Sequence, residues 1–295
     1  MNESLLQPNH DDLFLDTSPK MESPKVQSFY QHNNNSNNKI NQGQLDKNNL
    51  SLPEQLFLLM LQGQQRCRLP PSNVPFYLGF IGVALGDLLL RGRLAVEKGE
   101  VKNLILIKVV DITPTGDGVL DYILNKCDKF SSKRSKTFGG MIMSISRGFN
   151  YQVQRKITTK IGEQLVEKGI LANGPDSFFA KTYLWRDMNQ KRKLESTCSL
   201  LISPEFDIDN DSIFDESRIK EIILLLTMKQ YTNTTRYSMV KEFMKRNFKD
   251  SDQKSAQDNI KHLEQTFKTI NYSTPYHKMV YWILQGVRYS FDSNS

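Results

Sequence analysis

The segment FYLGFIGVALGDLLLRGRL, residues 76–94, is the longest apolar run of the chain and ends in a basic turn. Only eleven residues of the run precede Asp87, whereas a helix that spans a bilayer needs about 20 apolar residues. The segment therefore predicts a buried helix in a globular core. We expect Gly92 to end this helix, because glycine is the commonest residue just past a helix C terminus.

Three glycines of this segment recur on one side of the predicted helix. Gly79, Gly82 and Gly86 are spaced at i, i+3 and i+7, and each costs about 1 kcal/mol of helix propensity. A small-residue pattern of this kind indicates helix pairing in a bilayer only within a spanning segment. We therefore interpret it as a face against which another backbone packs closely.

Charge is unevenly distributed along the 295 residues. Residues 1–50 contain four Lys and six Asp or Glu, which gives this segment a net charge of −2. Since the whole chain has a net charge of +7, residues 51–295 carry +9. A basic folded part favours an acidic partner, such as anionic lipid headgroups, nucleic acid or an acidic protein. The sequence has no helix-turn-helix spacing and no aromatic-basic RNA platform, so we do not expect nucleic acid.

The cysteines and the N terminus bear on the cellular compartment. Cys67, Cys127 and Cys198 are far apart and form no CxxC pair, which predicts neither a disulfide framework nor a zinc site. Residues 1–12 have no basic segment followed by an apolar one, so a secretory signal is not expected. These features predict a cytoplasmic protein whose membrane contact is peripheral.

The first 49 residues are predicted to be a disordered, low-complexity tail. They contain three prolines and an Asn-rich run without hydrophobic periodicity, and such a segment buries too little apolar surface to offset its ordering entropy. The folded domain is expected over 50–295. It begins at a capping box in which Ser51 is the N-cap and Glu54 its partner.

The rest of the pattern predicts a mainly α fold, a single compact helical domain with two β-hairpins. The first hairpin is expected around a turn near Gly99, between β-branched runs. The segment ITPTGDGVLD, residues 112–121, predicts a turn and then a helix with Thr115 or Asp117 as N-cap. It lacks a P-loop lysine, so we interpret it as structural. Helices are further expected over 216–230, 232–248, 253–269 and 275–289.

The clearest helical signal lies between Phe149 and Gly169. Val153, Ile157, Ile161 and Leu165 repeat at every fourth position and define a core face. Arg155 lies opposite this stripe, with Lys156 and Lys160 on its flank. A solvated basic face and an anion-binding face both fit this pattern.

A second hairpin is predicted over about 172–185. Gly174 lies near its turn, and its aromatic residues are expected to be exposed and to form a protein interface. These aromatic residues are Phe178, Phe179, Tyr183 and Trp185.

No catalytic or metal-binding pattern is present in the sequence. There is no G-x-S-x-G, no H-E-x-x-H and no Walker lysine. Asp207, Asp209 and Asp211 imitate the start of an EF-hand loop, but position six is Ser212 and position twelve is Arg218. We therefore expect a binding protein without enzymatic activity, metal or cofactor.

The chain resembles the Golgi phosphoprotein 3 family in four ordered segments between residues 50 and 190. They are LSLPEQLFLLML, LLLRGRLAVE, TPTGDGVLD and LVEKGIL. The resemblance implies a peripheral membrane adaptor on the cytosolic face of the Golgi that binds phosphatidylinositol 4-phosphate. It also implies self-association through a hairpin, and binding of glycosyltransferase cytoplasmic tails and of coatomer.

The lipid pocket implied by the resemblance uses a tryptophan and an arginine before RGRL and two basic residues before LVEKG. The tryptophan position falls near Ser72, with Phe76 and Tyr77 as the nearest aromatic residues. The arginine position falls on Ile81, and the basic pair falls on Arg155 and Thr158. One of the four groups is thus retained, and the arginine-rich N-terminal cluster of some members is missing. An oligomerising adaptor that has lost phosphoinositide binding is the alternative.

Overall fold

A computed structural model describes residues 49–69, 76–98, 105–132, 136–146, 150–175, 181–206, 218–234, 239–269 and 275–292. These residues lie in one compact unit, Gly43–Ser295. The predicted tail, residues 1–49, falls almost wholly outside them. The helices are α1 (Leu52–Met60), α2 (Phe76–Leu90), α3 (Gly118–Ser131), α4 (Phe138–Ser146), α5 (Asn150–Glu167), α6 (Asn189–Leu200), α7 (Ile219–Thr234), α8 (Met239–Asn247), α9 (Asp250–Thr269) and α10 (Pro275–Asp292). The strands are β1 (Arg66–Cys67), β2 (Leu94–Lys98), β3 (Ile105–Val109), β4 (Lys136–Thr137), β5 (Leu171–Asn173) and β6 (Tyr183–Trp185).

Helix α2 is the centre of the fold, as the apolar run predicts. It packs against α1, α3, α4, α5, α7 and α10. Another helix lies close to the glycine face of α2. A side chain at Gly82 would collide with the Val287 side chain, and one at Gly86 would collide with that of Ile283. Both partners belong to α10, so the C-terminal helix lies against the central one. Gly92 ends α2 with φ +68°, which confirms the predicted C-cap.

The predicted capping box starts α1 and leads to a buried ion pair. The Glu54 carboxylate accepts from the Ser51 backbone N–H at 2.9 Å and lies 2.6 Å from Lys168 Nζ. The two side chains are 0% and 4% exposed. Burial raises the pKa of Glu54, and the Lys168 ammonium opposes that shift. The pair joins α1 to the end of α5.

A second carboxylate fixes α1 to α2. Asp87 Oδ2 accepts from the Leu52 backbone N–H at 2.7 Å, which is one of the N–H groups that a helix start leaves without an intrahelical partner. Asp87 Oδ1 accepts from Arg91 Nε at 2.6 Å. The polar residue that interrupts the apolar run is therefore buried and holds the start of α1.

Helix α3 begins at Asp117, one of the two predicted N-caps. Its carboxylate accepts from the backbone N–H groups of Val119 and Leu120 at 2.8 and 2.9 Å. Thr115 instead donates to Asp121. Val119 N–H also donates to Gln164 Oε1 of α5 at 3.1 Å. The decamer is thus a structural turn, in agreement with its interpretation from the sequence.

Two small antiparallel sheets lie at the edges of the helical body, in the orders β2-β3-β4 and β1-β6-β5. The pairing of β2 with β3, Leu94 opposite Val109, confirms the first predicted hairpin; its turn lies outside the described residues. The pairing of β5 with β6 confirms the second. Strand β1 pairs with β6, with Cys67 opposite Tyr183, and was not predicted from the sequence.

The helices of the C-terminal half were predicted with shifted boundaries, and two helices were not predicted. Helix α4 has the sequence FGGMIMSIS, in which two glycines obscure the helical pattern, and α6 is mostly polar. Gly139 lies against Tyr289 of α10, which shows why a small residue is needed there. The mainly α fold class is confirmed.

The buried pair generates a stability prediction. Replacing Lys168 by methionine leaves Glu54 buried without its cation, so we expect the free energy of unfolding to fall by about 3–5 kcal/mol. The measurement is urea denaturation. The double variant Glu54→Gln/Lys168→Met should recover part of the loss because it removes the buried charge. The control is Lys254→Met, at an exposed position of α9. Its free energy of unfolding is expected to stay within about 0.5 kcal/mol of wild type. A loss below about 1 kcal/mol in Lys168→Met would contradict the pairing.

Candidate functional site

The predicted basic face lies on α5. Its core side is confirmed: Ile157, Ile161 and Leu165 are buried. Arg155 is exposed, as predicted from its position opposite this stripe. Thr158, one turn further, is half-buried and donates its hydroxyl to the Arg155 carbonyl at 3.3 Å.

The structure divides the basic residues between two flanks of α5. Successive residues of a helix are rotated by about 100°, so Lys156 projects from a different side than Arg155. Lys156 Nζ lies 4.9 Å from the centre of the Tyr122 ring of α3. Lys160 follows one turn later on the same flank and is half-buried. Lys156 and Lys160 therefore border α3, whereas Arg155 and Thr158 form a separate pair.

Of the α2 positions implied by the resemblance, two are in the core. Ile81 is 0% exposed and Phe76 is 3% exposed, so both side chains belong to the core and present no polar group to a headgroup. Their assignment to the lipid pocket stays a prediction. They face the interior because α2 is surrounded by other helices. Tyr77 is half-buried against the core, and burial raises its pKa. Ser72 lies outside the described residues.

Two hydrogen bonds close the second hairpin at the end of its strands nearest the turn. Gly174 N–H donates to the Thr182 carbonyl at 3.0 Å, and Thr182 Oγ1 donates to the Pro175 carbonyl at 2.7 Å. A side chain at residue 174 would collide with the Thr182 backbone, which explains the glycine. Phe178 and Phe179 lie outside the described residues.

The expectation that all the hairpin aromatics are exposed is wrong for Tyr183. Its side chain is 3% exposed, its ring packs edge-on against Phe57 at 5.9 Å, and its hydroxyl occupies the space beside Gly162 of α5. Burial raises the pKa of Tyr183. Alternation along β6 directs this residue inward, and its neighbour on the same face, Trp185, is half-buried against the core. The Trp185 indole N–H donates to the Gly63 carbonyl at 3.0 Å.

A buried lysine supports the base of this hairpin. Lys191 Nζ donates to the Leu61 carbonyl at the end of α1 at 2.6 Å and lies 5.2 Å from the Trp185 ring centre. Arg246 of α8 donates to the Leu59 carbonyl at 3.3 Å. Two cations thus meet the carbonyl end of α1, where the helix dipole favours positive charge. Burial lowers the pKa of Lys191 to about 8.

A cavity of about 370 Å³ lies elsewhere, between α6 and the α8–α9 junction. Among its lining residues are Arg192, Ser196, Leu200 and Phe248. It is open and contains none of the residues predicted for the site. Among the described helices, none is both long and apolar enough to cross a bilayer.

Sequence reasoning missed two groups beside the basic face. Tyr122 and Lys126 are four residues apart on α3, a spacing that places them on one side of a helix. Lys156 and Lys126 each lie within 6 Å of the centre of the Tyr122 ring. The spacing alone gave no indication of which helix would lie beside them. Lys191 was also missed, because nothing in a polar segment distinguishes a buried lysine from an exposed one.

Comparison with known proteins gives two matches. The family model described as Golgi phosphoprotein 3 (GPP34) matches residues 52–214. A VPS74-like protein of Dictyostelium discoideum is 34% identical over 191 residues, which are 62% of this chain and 69% of that protein. The family match covers α1 to α6 and the second hairpin.

Lys191 generates a pH prediction. Its pKa in the folded state is about 8, below its ordinary value of 10.5, so the unfolded state binds more protons between these two values. The free energy of unfolding should therefore rise with pH between about 8 and 10.5, by about 1.4 kcal/mol for each unit of difference in pKa. The measurement is urea denaturation of wild type and Lys191→Met at each pH. The difference between the two proteins isolates this residue, and parallel profiles would refute the assignment.

Proposed function

This chain belongs to the Golgi phosphoprotein 3 family, and we propose that it is a non-enzymatic peripheral adaptor that binds phosphatidylinositol 4-phosphate on the cytosolic face of Golgi membranes. Membership of the family supports a Golgi-associated adaptor role in general. In this role the protein supports retention or vesicle trafficking of Golgi membrane proteins. The lipid, the membrane face and the trafficking step are the parts of the proposal that experiment must test.

The observation that carries the lipid proposal is the exposed guanidinium of Arg155. The resemblance implies a basic group of the lipid pocket at this position. The side chain is exposed, on the helix face opposite the core. A guanidinium matches phosphate oxygens with two parallel N–H groups. An exposed arginine of this kind is available for a lipid headgroup.

Recognition of the headgroup should be weaker than in a complete pocket. Ile81 and Thr158 stand where the resemblance places cationic groups, and a hydrogen bond to a charged group contributes about 1.5–3 kcal/mol. The loss of two such contacts lowers specific affinity by orders of magnitude. The net positive charge of the folded part offsets this loss without specificity, at about 1 kcal/mol for each basic residue near an acidic surface.

Self-association is the second part of the proposal. We propose that copies of the chain associate through the hairpin between β5 and β6, whose base is fixed to the body by Tyr183. Several weak lipid sites on one assembly gain avidity, by roughly 10²-fold or more where the geometry allows. Glycosyltransferase cytoplasmic tails and coatomer are the protein partners that fit an adaptor of this family.

One observation favours the alternative, an oligomerising adaptor without phosphoinositide binding. Ile81 is fully buried, so the missing arginine is replaced by a core residue and not by another surface group. The two candidates differ in one measurement, which is the gain in vesicle binding when phosphatidylinositol 4-phosphate is added to neutral lipid.

We predict that Arg155→Ala reduces this gain while the melting temperature stays unchanged, because the side chain lies off the core. The loss of one charge-assisted contact should weaken binding roughly tenfold or more. The measurement is co-flotation with phosphatidylcholine vesicles with and without phosphatidylinositol 4-phosphate. Arg192→Ala, an exposed arginine on α6, is the matched control and should bind like wild type. Unchanged flotation of Arg155→Ala removes this residue from the site, and a wild type that shows no gain supports the alternative.

We predict that Phe178→Ser/Phe179→Ser shifts the mass measured by light scattering towards the monomer. The helical circular dichroism should stay nearly unchanged, because Tyr183 and Trp185, which anchor the hairpin, are retained. Phosphoinositide flotation should weaken together with assembly, since avidity is lost. A wild type that is already monomeric at micromolar concentration would overturn this part of the proposal.

A further inference from the structure

Basic and aromatic side chains meet where α3 and α5 lie side by side. We call this region the α3–α5 seam; it consists of Tyr122 and Lys126 of α3 and Lys156 and Lys160 of α5. The two helices are joined at one end by Val119 N–H and Gln164. Lys126 Nζ lies 5.6 Å and Lys156 Nζ 4.9 Å from the centre of the Tyr122 ring.

The Tyr122 ring is a partner that the two ammonium groups share. Like charges repel, but the negative face of an aromatic ring attracts a cation within about 6 Å of its centre. The fold therefore concentrates positive charge at the seam instead of dispersing it. The Tyr122 side chain is half-buried, and burial raises its pKa, so the phenol stays neutral beside the lysines.

Two carboxylates of the same helices are engaged with other groups. Asp121 accepts from the N–H and the hydroxyl of Thr115 at 2.6 and 2.7 Å. Glu163 Oε1 lies 3.3 Å from Lys181 Nζ near the hairpin. These contacts direct both carboxylates towards groups outside the seam, where Lys156 is exposed and Lys126 and Lys160 are half-buried.

We infer that the α3–α5 seam is a second membrane-contact surface, which binds acidic phospholipids of the bilayer without selecting one headgroup. The inference rests on the proposed function for the presence of a membrane, but it uses a different flank of α5 from Arg155. Charge complementarity identifies the occupant. Lysine is a flexible point charge suited to a diffuse anionic surface, whereas arginine suits a defined phosphate. Tyrosine has an apolar ring and a polar end, which fits the boundary between headgroups and acyl chains.

The position of the α3–α5 seam allows its lysines and Arg155 to contact one bilayer at the same time. Arg155 and Lys156 are consecutive, so their directions differ by about 100°. A bilayer that approaches the exposed side of α5 between these two directions meets the arginine on one flank and the lysines on the other. Specific and diffuse binding thus act on the same membrane.

The test uses full-length protein and three kinds of vesicle: phosphatidylcholine alone, phosphatidylcholine with phosphatidylserine, and phosphatidylcholine with phosphatidylinositol 4-phosphate. We expect Lys126→Gln/Lys156→Gln to weaken partitioning onto phosphatidylserine vesicles by roughly tenfold to thirtyfold, because each lysine near an acidic surface contributes about a fivefold factor. Arg155→Ala should leave partitioning onto these vesicles within about fivefold of wild type. The wild-type interaction should weaken as salt is raised from about 0.05 to 0.3 M.

The control is Lys249→Gln/Lys254→Gln, which removes the same charge from exposed positions at the start of α9 and should bind like wild type. Melting temperatures show that each variant is folded, and Tyr122→Leu provides a second variant that removes the ring and keeps both lysines. Equal losses in the seam and control variants, or no binding of wild type to phosphatidylserine vesicles, would overturn the inference. If phosphatidylinositol 4-phosphate does not increase vesicle binding, the lipid part of the proposed function is overturned. The inference about the α3–α5 seam is then decided by the phosphatidylserine vesicles alone.

Discussion

The buried ion pair between Glu54 and Lys168 is the constraint on which the rest of the structure depends. A charge in the interior is tolerated only when its partner is held in place, and here the partners come from α1 and from the end of α5, more than one hundred residues apart. Each helix must therefore be correctly placed before the other is stable. Asp87 makes the placement of α1 and α2 depend on each other in the same way, because its carboxylate accepts a hydrogen bond from the Leu52 N–H in the first turn of α1.

The four segments that carry the family resemblance meet at this polar cluster. LSLPEQL contributes Glu54, LLLRGRL is preceded by Asp87 and contributes Arg91, TPTGDGVLD contributes Asp117, and LVEKGIL contributes Lys168. One buried side-chain atom each of Glu54, Asp117 and Gln164 has no hydrogen-bond partner among the described residues. The family signature is thus chiefly an internal framework. It identifies the fold, whereas Arg155 and Thr158 lie outside the four segments.

Local signals in the sequence were sufficient for much of the fold and for little of the site. The capping box at Ser51, the glycine end at Gly92 and the stripe of α5 depend on contacts within a few residues, so they could be predicted. The burial of Tyr183 depends on helices that are distant in the chain, since its ring packs against Phe57 of α1 and its hydroxyl lies beside Gly162 of α5. For the same reason the seam was missed: its lysines are ordinary on each helix and become a cluster only when α3 packs beside α5.

The contact of Tyr183 with Gly162 has a mechanical consequence. The Tyr183 hydroxyl fills the space beside Gly162. Along α5, Gly162 lies about one turn from Thr158 and about two turns from Arg155. The hairpin base and the basic helix are therefore in direct contact. If copies associate through their hairpins as proposed, this contact would fix how far apart neighbouring Arg155 side chains lie and how each one is oriented. The spacing of basic groups along such an assembly would then be set by the fold of each copy.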